Sequence, residues 1–87
     1  MKLKYEFAIQ EVADTFVAVM VGDAAEKFNG LIRMNKTGKA IFDLLENDVT
    51  EEEIVAGLQK KYEGPEDVIR EEVHKFLASL SDLDILE

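Results

Sequence analysis

Cysteine is absent from this sequence of 87 residues. Its absence excludes disulfides, thiolate metal sites, iron–sulfur clusters and cysteine nucleophiles. Long apolar runs are also missing, because charged residues interrupt every hydrophobic segment before the roughly 18 residues that a membrane span requires. Glu6 and Glu11 break up the N-terminal stretch where a signal peptide would have its apolar core. We therefore expect a cytosolic protein that neither spans a membrane nor carries a metal or cofactor.

Basic residues are scarce. The chain has 10 of them against 19 acidic residues, a formal net charge of −9. Residues 1–46 carry six basic and seven acidic side chains, a balance of −1, while residues 47–87 carry four and twelve, a balance of −8. Proteins bind DNA or RNA by displacing counterions from phosphates with lysine and arginine. The charge therefore disfavours nucleic acid and favours a basic or amphipathic peptide as partner.

The length leaves room for one domain over residues 1–87 and for no second one. A chain of this size buries roughly 60–65% of its unfolded surface, which supplies one modest core. Its composition, 47% hydrophobic and 33% charged, is typical of a globular domain. We expect it to fold alone.

The first third of the chain predicts strands. Apolar and polar residues alternate from Leu3 to Gln10, the pattern of a half-buried strand that ends before Ala13-Asp14. Residues 15–21, TFVAVMV, are apolar on both faces and predict a more deeply buried strand. Residues 24–28 suit a helical turn or a loop, and Asn29-Gly30 is a turn signal.

A short third strand and three helices follow. Residues 31–34 predict a strand with Ile32 and Met34 on one face, and Asn35 is suited to cap a helix ending near Glu46. Thr50 and Glu53 form a capping box, so a second helix should begin at Glu51. Pro65 suits the first position of a third helix, which runs to about Ser81. The tail, residues 83–86, would add a short strand or cover the core.

Side chains for catalysis or metal binding are not grouped in this sequence. The single histidine, His74, has only Glu71 at helical spacing as a further ligand, which is too few for a metal site. The carboxylate runs at residues 51–53 and 71–72 fit helix starts and solvated faces, and no glycine-rich phosphate loop is present. Ser79 lies near the end of the last helix, not in the Asp-Ser-Leu context of an acyl carrier. We therefore predict that the protein is not an enzyme.

Several stretches resemble one family. They are Met34-Asn35-Lys36-Thr37-Gly38, Ile41-Phe42, Thr50-Glu51-Glu52-Glu53-Ile54, and the apolar residues from Phe76 to Leu80. In these the chain resembles the PqqD family, small winged-helix proteins also known as RiPP recognition elements, which bind leader peptides for maturation enzymes. The resemblance implies an α+β fold of the winged helix-turn-helix type, with a three-stranded antiparallel sheet followed by three helices.

The resemblance also implies a non-catalytic adaptor that binds the leader of a ribosomally made precursor peptide and presents it to a modifying enzyme, often a radical S-adenosylmethionine enzyme. The peptide would add as a strand to the short third strand, and the third helix would form the opposite wall. The predicted peptide-binding residues are Leu31, Ile32, Arg33, Met34, Val68, Ile69, Glu72 and Phe76. Ile32, Met34, Ile69 and Phe76 would equally suit the core, so the strand's backbone is the stronger prediction.

The sequence is also compatible with two further hypotheses. The last two helices could form a helix-turn-helix, so the protein could be a regulator that binds DNA or another protein, although Glu66, Asp67, Glu71 and Glu72 would repel a phosphate backbone. An open sheet edge could also pair two copies in a homodimer.

Overall fold

The computed structural model describes residues 1–22 and 30–87. The expectations for residues 24–28 and for Asn29 lie outside the described residues. The strands are β1 (Phe7–Val12), β2 (Thr15–Met20) and β3 (Leu31–Met34), and the helices are α1 (Lys36–Leu44), α2 (Glu51–Lys61) and α3 (Glu66–Asp82). This order confirms the predicted three-stranded antiparallel sheet followed by three helices.

The N-terminal strand is shorter than its alternating pattern predicts. Pairing with β2 begins at Phe7, whereas Leu3 forms an isolated bridge with Leu86. The Leu3 N–H donates to the carbonyl of Leu45 at 3.0 Å, and the Lys4 N–H to that of Ile85 at 2.8 Å. The first residues are thus extended and half-buried, but they bond to the C-terminal tail and the end of α1 and not to the sheet.

The second strand is buried on one face only, which corrects the prediction of a strand buried on both. Ala18 and Met20 are buried, while Val19 is 44% exposed. The reason is that α1 packs on one face of β2 and β3, and every second side chain of a strand points to the opposite face of the sheet.

Local signals set the helix starts. The side chain of Asn35 accepts a bond from the Gly38 N–H at 2.8 Å, and Thr50 and Glu53 form the reciprocal bonds of the predicted capping box. Pro65 differs from expectation, since it is the N-cap of α3 and not its first residue. Its ψ of 138° is extended, and its carbonyl accepts the Ile69 N–H at 3.2 Å.

The core lies between the helices and one face of the sheet. Ile54, Val73 and Leu80 supply buried side chains from α2 and α3, and Ile85 of the tail is buried with them. Phe42 of α1 is 2% exposed and meets the ring of Phe7 edge-on, with the centroids 5.2 Å apart. The tail therefore covers the core, as one of its two predicted roles requires.

The hairpin between β1 and β2 gives a test of backbone strain. Ala13 has a φ of +57°, where a residue with a Cβ costs about 1–2 kcal/mol. Ala13→Gly should raise the free energy of unfolding by roughly 0.5–1 kcal/mol, because relief of strain exceeds the added entropy of the unfolded chain. Urea denaturation followed by circular dichroism measures it. The same change at Asp14, whose φ is not positive, should lower stability, and a less stable Ala13→Gly protein would contradict the argument.

Candidate binding groove between β3 and α3

The strand β3 lies at an edge of the sheet. The strand order is β1-β2-β3, and β3 pairs with β2 through Phe16↔Met34, Val17↔Arg33, Ala18↔Ile32 and Val19↔Leu31. Within the part of the chain that the structure describes, no strand pairs with its other side. An edge strand of this kind presents backbone N–H and C=O groups that a further strand can bind.

The ladder between β1 and β2 shows which backbone groups of β2 face β1. The Val21 N–H donates to the Glu6 carbonyl at 3.1 Å, in the register that pairs Phe7 with Met20. Hydrogen-bonded and non-hydrogen-bonded pairs alternate along an antiparallel ladder. Val21, Val19 and Val17 therefore direct their backbone groups to β1, and the residues between them, Ala18 and Phe16, direct theirs to β3.

The same alternation identifies the free groups of β3. Ala18 is opposite Ile32 and Phe16 is opposite Met34, so Ile32 and Met34 carry the bonds to β2. Leu31 and Arg33 consequently direct their N–H and C=O groups away from the sheet. Two donors and two acceptors are thus available at this edge.

The side chains of β3 separate as predicted. Ile32 and Met34 are buried in the core, whereas Leu31 is 51% exposed and Arg33 is exposed. The contribution of Ile32 and Met34 to a bound peptide is therefore limited to the surface that they leave at the edge. Leu31 and Arg33 point to the outer face of the sheet.

Beside its buried stripe, α3 carries a second set of residues that share one face. Val68, Glu72 and Phe76 recur every four residues and so share a face. Val68 is 50% exposed, Glu72 is exposed, and Phe76 is half-buried. Ile69 is 9% exposed and belongs to the core, so of the four predicted α3 residues it is the least accessible.

The backbones of β3 and α3 are not in contact. No Cα atom of α3 lies within 8 Å of a Cα atom of β3. A strand added to a sheet lies about 4.8 Å from its neighbour. The helix therefore does not occupy the position next to β3 where a further strand would lie.

Gly38 shapes the end of this groove. A Cβ atom at Gly38 would lie 2.9 Å from the Cβ of Met34 and 3.0 Å from the Cε1 of Phe76. Its absence lets the Phe76 ring approach α1 and the end of β3. Beside the ring is a cavity of about 310 Å³ lined by Asn35, Thr37, Gly38, Ile41, Glu72, Lys75 and Phe76. The groove thus ends in a small side-chain pocket with an amide, a hydroxyl, a carboxylate and the ammonium group of Lys75 at its border.

The contribution of α1 to the groove was missed from the sequence. The sequence identifies Asn35, Thr37 and Gly38 only as part of a stretch that resembles the PqqD family, and Asn35 as a helix cap. The signal that could have located them was the glycine itself, because a glycine in the first turn of a helix weakens the helix unless a close contact requires it.

The two helix glycines offer a matched pair of substitutions. Gly38→Ala should lower the free energy of unfolding by roughly 1 kcal/mol, since overpacking costs about 1–3 kcal/mol and the gain in helix propensity offsets about 1. At Gly57 the new Cβ would meet only the end of the Leu44 side chain, which can move, with Cδ1 at 3.2 Å and Cδ2 at 3.8 Å. Gly57→Ala should therefore be neutral or stabilising. Equal effects of the two changes in urea denaturation would contradict the close packing at Gly38.

Charged residues hold and line the α3 wall. Arg70 forms ion pairs with Glu52 of α2 and, at 3.0 Å, with Glu66 of its own helix. The hydrogen bond that Arg70 donates to Glu52 lowers the pKa of Glu52. Lys75 pairs with Glu71 at 3.1 Å. Among the described residues no cation lies within ion-pair distance of Glu72, which leaves its carboxylate at the cavity available to a ligand.

A larger cavity, of about 550 Å³, lies at the opposite edge of the sheet. It is lined by Lys2, Leu3, Lys4, Tyr5, Glu6, Phe7, Ile9, Val21, Phe42, Leu45 and Glu46. The β1 edge beside it is also unpaired in the described ranges, but no helix Cα lies within 8 Å of a β1 Cα. We favour the β3 edge, despite its smaller cavity, because there the Phe76 ring of α3 approaches Gly38, next to Met34 at the end of the strand.

Residues 1–22 and 30–87 contain neither a metal site nor a membrane-spanning helix. No group of three or more histidine, aspartate or glutamate side chains there is arranged to hold a metal ion. None of the described helices is both long enough and apolar enough to cross a bilayer.

Comparisons with known proteins identify the family and the fold. The model of the family described as "Coenzyme PQQ synthesis protein D (PqqD)" matches residues 15–86. The fold is similar to that of the solved structure "TbiB1 in Complex with the TbiA(beta) Leader Peptide", with a TM-score of 0.76 and 22% sequence identity over 100% of this chain and 95% of that one. A comparison with curated proteins finds no match.

Proposed function

Because this chain belongs to the PqqD family, we propose that it is a non-catalytic adaptor that binds the leader of a ribosomally made precursor peptide and presents it to a modifying enzyme. The peptide adds to β3 as a fourth strand, and α3 covers its other side. Peptide recognition by strand addition draws affinity from backbone bonds and specificity from alternate side chains. The edge at β3 offers both the backbone groups and the neighbouring side chains that this mode of binding needs.

The observation that carries the proposal is the pair of outward-facing residues on β3. Leu31 and Arg33 hold two N–H and two C=O groups at an edge that no described strand pairs with. The half-buried ring of Phe76 on α3 lies close to Met34, and the exposed Val68 is on the same face of that helix. The TbiB1 structure supports the proposal, since a protein of similar fold was solved with a leader peptide.

The eight predicted residues then divide into two roles. Leu31 and Arg33 bind the peptide backbone and flank its outward side chains, while Ile32 and Met34 hold the edge against β2 and form the base of the groove. Val68, Glu72 and Phe76 form the opposite wall, and Ile69 supports that wall from the core.

The partner enzyme, by the family's pattern, is a radical S-adenosylmethionine maturase. We further propose that one domain, residues 1–87, is sufficient for peptide binding, that the protein acts in the cytosol without a cofactor, and that a homodimer would compete with the peptide for the β3 edge. Sedimentation at several concentrations, with and without peptide, tests the last point.

A titration followed by backbone NMR tests the proposal. A random library of 12-residue peptides displayed on phage is panned on the protein, and an enriched peptide is titrated into the ¹⁵N-labelled chain. We expect the largest shifts at residues 31–34 and along the Val68, Glu72, Phe76 face. Shifts caused by duplex DNA and not by peptide would instead support the winged-helix regulator.

Salt provides a separate test of the acidic wall. Glu72 and its neighbours on α3 should favour a peptide with lysine or arginine, so binding should weaken as ionic strength rises and the Debye length falls from about 10 Å at 0.1 M to about 3 Å at 1 M. Fluorescence anisotropy with a labelled peptide measures the slope. Glu72→Gln should flatten it, whereas Glu63→Gln, an exposed change outside the groove, should not. An affinity indifferent to salt would count against a basic peptide.

A further inference from the structure

A row of side chains on the outer face of the sheet ends at Arg33. Gln10 pairs with Val17, and Val17 pairs with Arg33, so the three residues lie side by side across the strands. On the sheet side the neighbour of Arg33 is an apolar valine. No carboxylate of the described residues lies within 4.0 Å of its guanidinium. The next position in this row belongs to the added strand.

The next row differs in chemistry. Ala8, Val19 and Leu31 lie side by side, and Val19 and Leu31 are exposed. The added strand would continue this row with the residue opposite Leu31. Its outward side chains would therefore have an apolar neighbour at one position and a cationic neighbour two residues away.

The opposite face of the added strand meets different groups. Residues opposite Ile32 and Met34 point toward the groove, because side chains alternate along a strand. Glu72 and Lys75 line the cavity at the Met34 end, where Gly38 approaches both Met34 and Phe76. Lys75 is paired with Glu71 at 3.1 Å, whereas Glu72 has no ion-pair partner among the described residues. A basic side chain in the groove would reach the carboxylate of Glu72. Its residue would lie an odd number of positions along the added strand from the residue beside Arg33.

We propose that Arg33 and Glu72 read two opposite charges of the peptide: an aspartate or glutamate beside Arg33 and a lysine or arginine in the groove, an odd number of positions away. This inference rests on the proposed function and deepens it. Arginine binds carboxylates through two parallel hydrogen bonds, and opposite charges on neighbouring strands attract each other. The groove therefore selects a peptide of alternating character and not merely a basic one.

Panning of the same 12-residue phage library on the wild-type chain and on two variants tests the inference. Wild-type selections should align on an acidic residue, an apolar residue two positions away, and a basic residue at odd spacing from the acid. Arg33→Glu should replace the acidic preference with lysine or arginine and leave the basic position unchanged. Lys60→Glu, an exposed change on α2 with the same effect on net charge, should select the wild-type pattern.

A double-mutant cycle on one selected peptide makes the test quantitative. Changing its acidic residue to lysine should weaken binding to the wild-type chain about two- to fivefold, the range for cross-strand charge pairs. On Arg33→Glu the same change should strengthen binding. Two results would overturn the inference for peptides that bind the β3 edge by NMR. One is that Arg33→Glu still selects an acidic residue; the other is an even spacing between the acidic and basic residues. Both results would leave the adaptor function standing. A library with no peptide that binds at β3 would overturn both.

Discussion

Replacing Leu31 with proline should lower the affinity for a peptide bound along β3 at least tenfold, about 1.4 kcal/mol. Proline removes the outward N–H of Leu31 and places its ring where the peptide backbone would approach. The bonds between β3 and β2 come from Ile32 and Met34, so the ladder stays intact. Proline is tolerated at the first residue of an edge strand, and Leu31 is the first residue of β3. Fluorescence anisotropy measures the affinity, and circular dichroism checks the fold.

The opposite edge supplies the control. By the same alternation, the N–H of Glu11 on β1 points away from the sheet, and Glu11 is exposed. Glu11→Pro therefore makes the same chemical change at the other free edge and should leave peptide affinity within twofold of the wild type. Loss of binding in Glu11→Pro, with binding retained in Leu31→Pro, would place the peptide at the β1 edge, next to the larger cavity. That result would refute the β3 site.

Replacing Phe42 with alanine should lower the free energy of unfolding by about 3–5 kcal/mol, the usual range for a buried phenylalanine. Phe42 is buried on α1 and contacts the ring of Phe7, so it joins the helices to the first strand. Small domains are stable by only about 5–15 kcal/mol, so this loss is a large share. Urea denaturation gives the value.

A second variant keeps the prediction testable if Phe42→Ala does not fold. Phe42→Leu leaves most of the apolar volume, so it removes less buried surface and leaves a smaller cavity than Phe42→Ala, and it should cost clearly less stability. Val12→Ala, an exposed change on β1, should stay within about 0.5 kcal/mol of the wild type. A stability of Phe42→Ala close to that of Val12→Ala would show that Phe42 is not part of the core.

Local patterns were sufficient for most of the architecture. The order of three strands and three helices, the bounds of β3, the Asn35 cap and the Thr50–Glu53 capping box follow from residues close together in the chain. Side-chain alternation also separated Ile32 and Met34 from Leu31 and Arg33, because a strand reverses its facing at every residue. The candidate α3 wall was implied by the resemblance to the PqqD family, and three of its four residues, Val68, Glu72 and Phe76, have the spacing of four that places them on one helix face.

Where local patterns failed, distant residues decided. Leu3 alternates like a strand residue, yet its partner is Leu86, at the far end of the chain. Val19 suits a buried strand, but no described helix packs on its face, so it is exposed. In both cases the sequence shows that the residue is apolar. Which distant segment packs on it, if any, depends on the tertiary fold.

The sequence by itself determined the elements and the acidic balance of the chain, since propensities, caps and charge are properties of neighbouring residues. Only the tertiary structure decided that β3 lies at an edge, that Leu31 and Arg33 hold the outward backbone groups, and that Gly38 admits the ring of Phe76. These three features depend on which strands pair and how closely helices approach. Such distances are set by packing across the whole chain.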